Sequence, residues 1–84
     1  MHETHLIQPV IDGISEHAKK EGAKAVNKVR LKIGNLTGVK EDSFRETFFV
    51  LAKGTILENA ELEITPFPGT RVEVVSFDID EAAD

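Results

Sequence analysis

The residues best suited to chemistry stand first, Met1-His2-Glu3. A free α-amine one peptide bond from an imidazole forms a metal chelate with little help from a fold. The Met1 amine, the His2 and Glu3 amide nitrogens and the His2 ring supply a planar, nitrogen-rich donor set. Such a set suits Ni(II) or Cu(II) and suits Mg or Ca poorly. The amine must be free and the two amides must ionise as the metal binds. Binding should therefore release protons and weaken as pH falls below the histidine range, near ~6.5. Glu3 contributes mainly its amide, with its carboxylate as an outer acceptor that orients the imidazole.

Other chemistry-bearing residues are sparse. His5 offers a fifth ligand or a transfer site, but an exposed polar residue in a first helical turn is the plainer account. His17 lies on the polar edge of a helix beside Glu16 and reads as structural or solvated. Ser15, Ser43 and Ser76 have no His-Asp arrangement at fixed spacing, and no paired carboxylates or Gly-rich phosphate loop occur. Enzymatic chemistry is not expected.

With 84 residues and 40% hydrophobic content the chain makes one small domain, spanning 1–84. It has no Cys, so neither a disulfide nor a thiolate zinc site can staple it. The core must come from apolar packing, extended by self-association where a homo-oligomer forms. A net charge of −5 argues against a nucleic-acid partner. The last seven residues, 78–84, hold four acids and no base, which reads as a solvated acidic tail. No apolar run is long enough to span a membrane, and no signal-peptide pattern opens the chain, so a cytoplasmic protein is expected.

The elements that must position the terminus follow from periodicity. Leu6, Ile7, Val10, Ile11, Ile14 and Ala18 recur at helical steps, closed by Gly22. Pro9 predicts a regular helix starting near Gln8, or a distorted first turn. Residues 25–34 alternate as a half-buried strand, with Val29, Leu31 and Ile33 inward and Lys28, Arg30 and Lys32 outward. Residues 41–53 read as a second helix on Phe44, Phe48, Leu51 and Ala52, with Phe49 off the inner face and free for an oligomer contact. Residues 61–65 form a second strand. Pro66, Pro68 and Gly69 turn the chain, and 71–80 form a third strand. The third strand changes phase between Val74 and Phe77, which predicts a β-bulge near Val75-Ser76.

The order α-β-α-β-β implies an α+β fold with two helices packed on one face of a three-stranded mixed sheet. The last two strands are expected to be antiparallel neighbours in a hairpin. The helical crossover favours one parallel pairing. The outer face would set Lys28, Arg30 and Lys32 beside Glu61, Glu63 and Glu73. Cross-strand attraction of about 0.2–1 kcal/mol per pair accounts for those charges without a ligand.

Several segments together resemble the HypA/HybF family. They are Met1-His2-Glu3, Glu16 to Lys20, the strand and loop Val29 to Val39, Phe44, Gly54-Thr55, Ala60 to Ile64 and Val72 to Asp80. The resemblance implies a nickel metallochaperone for hydrogenase, in some organisms urease, working with the GTPase HypB and a nickel-enzyme large subunit. It implies nickel held at Met1, His2 and Glu3 through the His2 ring and nearby backbone nitrogens. The family also carries a zinc module with two cysteine pairs between its last two strands. Here a short turn at 66–70 stands in that place, so no zinc is expected. Lys40 occupies a position where some members place a carboxylate, and a cation cannot replace that ligand.

Two function classes remain open. One is a HypA-like nickel-binding accessory protein that lacks the zinc module. The other is a non-metal adaptor or assembly factor on the same scaffold, which the missing cysteines, Lys40 and Pro9 favour. A weaker third is a small subunit of a larger enzyme complex.

Overall fold

The computed structural model of the chain describes residues 3–81. Five elements follow in order: α1 (Thr4–Lys20), β1 (Ala23–Gly34), α2 (Glu41–Ala52), β2 (Glu61–Phe67) and β3 (Val72–Glu81). The fold is α+β, a three-stranded mixed sheet with both helices on one face. That face carries Val26, Val29, Leu31, Ile33 and Leu62. These pack with Ile7, Ile11, Ile14 and Ala18 of α1 and Phe44, Phe48 and Ala52 of α2 in one buried core. Full burial of each large side chain stabilises by roughly 1.5–3 kcal/mol, so the apolar stripes of α1 and α2 have few other places to go. Among the described residues the core contains no polar or charged side chain. Gly22 and Gly54, at φ 80° and 81°, take the left-handed conformation that ends each helix.

α1 begins at Thr4, four residues ahead of the expected start at Gln8, and Pro9 lies inside it. The ring removes one intrahelical N–H, but Pro9 is exposed, so water can serve the orphaned carbonyl. Ile7, fully buried two residues earlier, holds the first turn in place.

The strand order corrects the expected hairpin. β1 is central, with the order β2-β1-β3. β2 pairs with β1 in parallel from Lys28–Glu61 to Gly34–Phe67, and β3 pairs with β1 antiparallel on the other side. β2 and β3 are therefore not neighbours. Residues 68–71 cross the end of β1, a span of two strand spacings or roughly 10 Å. The strand with the most buried apolar side chains takes the middle, where both its edges and one face are covered. The expected bulge is present: β1 pairs Leu31 with Val74 but Arg30 with Ser76, leaving Val75 unpaired.

The outer face is an ion-pair lattice. Lys28 Nζ lies 3.7 Å from Glu61 and 3.2 Å from Glu63. Arg30 donates to both carboxylate oxygens of Asp78, at 3.0 and 3.1 Å. That hydrogen bond, followed by the charge of Arg30, holds the Asp78 carboxyl below its ordinary range, and the same bond raises Arg30. Asp78 and Asp80 thus belong to a paired strand, with Lys24 Nζ 3.8 Å from Asp80. Glu73 lies opposite Lys32 across the β1–β3 pair, as expected, while its carboxylate makes its ion pair with Arg71.

Candidate functional site

Met1 and His2 lie outside the described residues, and Glu3 is the first that the structure places. Glu3 is the N-cap of α1, and its carbonyl accepts from the Leu6 and Ile7 amides, each at 2.9 Å. Its side chain makes no cap bond. It turns instead to α2, where Ser43 Oγ donates to Glu3 Oε2 at 3.0 Å. The other oxygen, Oε1, is buried and finds no hydrogen-bond partner among the described residues. A buried carboxylate oxygen without a donor is costly, which marks this atom as an acceptor in want of one.

The loop after β1 forms the facing wall. Leu36, Thr37, Gly38, Val39 and Thr70 join Glu3, His5 and Leu6 around a cleft of about 560 Å³. The loop is rigidly tied. Thr37 Oγ1 donates to the Gly34 carbonyl at 2.8 Å, and the Val39 amide donates to Thr37 Oγ1 at 3.2 Å. The Gly34 amide donates to Arg71 O at 2.9 Å, Asn35 to Phe67 O at 2.8 Å and Leu36 to Gly69 O at 2.9 Å. The segment 68–71 that carries the chain over β1 therefore also braces this wall.

Glu41 and Asp42 begin α2 but do not turn to Glu3. Glu41 pairs with Arg45 at 3.0 Å, and Asp42 Oδ1 accepts from the Ser43 amide at 2.9 Å. Arg45 also donates to the Leu62 carbonyl on β2. Lys40 is the exposed N-cap of α2, three residues before Ser43. His5 is exposed on the cleft. His17 packs edge-on to Phe77 at 5.7 Å, roughly 20 Å along α1 from Glu3 at 1.5 Å per residue. It is exposed and takes no part in this cleft. Phe49 is 43% exposed and meets Phe48 edge-on. Among the described residues no three His, Cys, Asp or Glu side chains gather as a metal site, and no helix is long and apolar enough to cross a membrane.

Sequence reasoning missed Ser43. It is a lone serine with no partner nearby in sequence, and its contact with Glu3 joins residues 40 apart.

A small α+β domain whose Glu3 is clamped beside a braced glycine loop is the class that the fold and cleft define. The family model described as "Hydrogenase/urease nickel incorporation, metallochaperone, hypA" matches residues 1–72, and the chain belongs to the HypA family. That family consists of metallochaperones and not enzymes. The hydrogenase maturation factor HypA of Beijerinckia indica is 39% identical over 69 residues, covering 82% of this chain and 61% of its own length. Its counterpart in Nostoc punctiforme is 44% identical over 69 residues, covering 82% of this chain and 58% of its own length. The chain thus spans only about three fifths of these relatives. The solution structure of the Ni metallochaperone HypA from Helicobacter pylori superposes with a TM-score of 0.84 at 17% identity, covering 98% of this chain and 100% of that one. At that identity the likeness speaks for the fold.

Proposed function

We propose that the chain is a nickel-binding accessory protein for the maturation of a nickel enzyme such as a nickel–iron hydrogenase. Nickel is its cargo. The Met1 amine, the His2 and Glu3 amides and the His2 ring hold it, and Glu3 Oε1 orients the imidazole. The observation that carries this reading is the clamp on Glu3. Residues from two of the segments behind the family resemblance, the N-terminus and the β1 loop, line one cleft. One of them presents a buried carboxylate oxygen without a donor.

So few side chains anchor the ion that a client site can take it one ligand at a time. A HypB-like GTPase and the large subunit of the client enzyme are the implied partners, in the cytoplasm. With no Cys in its 84 residues, the chain brings no thiolate zinc site to this work. The short crossing 68–71 stands in the position of the family's zinc module. The adaptor reading keeps support from Lys40, a cation at the start of α2.

Ni(II) titration separates the two readings. The native-terminus protein should bind with proton release. Neither His2→Ala nor a form extended before Met1 should do so. Equal binding by all three, or by none, supports the adaptor.

A further inference from the structure

We propose that Ser43 is a positioning residue for the nickel grip. Its hydroxyl fixes the Glu3 carboxylate and thereby holds residue 3, whose amide nitrogen is one of the proposed donors. The inference rests on the metal reading above and names a residue, far off in sequence, that the reading itself does not require.

Residue 3 is the last backbone donor of the grip and the first residue of the helical framework. It is anchored twice. Its carbonyl is tied into α1 by the Leu6 and Ile7 amides, and its carboxylate is tied to α2 by Ser43. The first anchor sets the direction in which the chain leaves the helix. The second stops the residue from turning about that direction. The carboxylate also meets the first turn of α2, where unpaired amides and the helix dipole favour a negative group. The native acids of that turn are engaged elsewhere, Glu41 with Arg45 and Asp42 with the Ser43 amide. The Asp42 contact holds Ser43 in turn. A charge-assisted bond of this kind is stronger than a neutral one and restricts geometry. A chelate made mostly of backbone atoms gains affinity when its backbone is held in place before the ion arrives.

The test uses residues 1–84 with a free amine at Met1 and Ni(II) alone as the probe. Affinity is read by competition with a chelator, and the donor set by the ligand-field absorption of the complex. Ser43→Ala should weaken binding about 10- to 100-fold, the usual effect of losing an outer-shell partner, and should broaden or shift the absorption. Ser43→Thr, which keeps the hydroxyl, should restore both. Glu3→Ala leaves the backbone donors in place but removes both the Ser43 contact and Oε1, so it should lose at least as much as Ser43→Ala. The double variant should lose no more than Glu3→Ala alone, because Ser43 acts only through that carboxylate. Thermal unfolding of the metal-free proteins reports any general loss of fold. Unchanged affinity and spectrum in Ser43→Ala, or additive losses in the double variant, would overturn the positioning role. If His2→Ala abolishes binding while Ser43→Ala is indifferent, only this inference fails. If His2→Ala also binds normally, the nickel grip itself fails and the inference with it.

Discussion

Gly34→Ala should destabilise the protein through three specific hydrogen bonds. Gly34 is buried at the end of β1, where residues 68–71 pass over it. A Cβ there would run into the backbone of Gly69 and come within 2.8 Å of the Thr70 nitrogen. Both obstacles are backbone, so no side-chain rotation relieves them and the crossing segment must lift. Lifting it strains or breaks the bonds Gly34 N to Arg71 O, Asn35 N to Phe67 O and Leu36 N to Gly69 O. At a net ~0.5–1.5 kcal/mol each, losing all three costs about 1.5–4.5 kcal/mol. For a domain of this size that lowers Tm from about 6 °C upward. Urea unfolding followed by circular dichroism should show a lower midpoint with an unchanged slope. Gly13→Ala is the matched control. Its Cβ meets nothing within 4 Å on α1, so the helix should gain about 0.4–1 kcal/mol. A Gly34→Ala protein within ~0.5 kcal/mol of wild type, the range of a neutral surface change, would refute the role given to the crossing.

Two further outcomes follow from the same geometry. Pro9→Ala restores an N–H inside α1 and should stabilise the fold by about 1–3 kcal/mol, read as a higher urea midpoint; no gain would mean that the helix already accommodates the ring without cost. Asp78 has a folded-state carboxyl held below its unfolded value by Arg30. Its stabilising contribution is therefore present above the ordinary carboxylate range, near ~3.9, and is lost as pH falls through the depressed value. Asp78→Asn should be less stable than wild type at neutral pH, and the gap should close in acid; a gap that stays constant down to strongly acid pH would contradict the pairing.

Much of the framework was legible because its signals are local. Strict alternation from Lys28 to Ile33 gives the central strand, and the parity change between Val74 and Phe77 gives the bulge at Val75. The expected partnership of β2 and β3 was not. Adjacent strands with a short turn suggest a hairpin, yet β1 carries the most buried apolar side chains and takes the centre. The signal that permits it is a non-local pair of glycines, Gly34 beneath Gly69, which no periodicity reports. Of the two starts that Pro9 allows, the later one near Gln8 is not taken: α1 starts at Thr4, because burial of Ile7 outweighs the cost of the ring. Met1 and His2, proposed as the metal grip, carry their signal in the sequence and lie outside the described residues. The clamp behind them, Ser43 on Glu3, depends on how α2 is set against the start of α1 and has no sequence signature.

The most direct measurement is calorimetric titration of Ni(II) into the protein beginning at Met1 and into the same chain lengthened by two residues before Met1. The account predicts tight binding with proton release by the first and a loss of both by the second, since the lengthened chain has no amine at the chelating position. Equal affinity in the two proteins would contradict a grip built on the chain terminus.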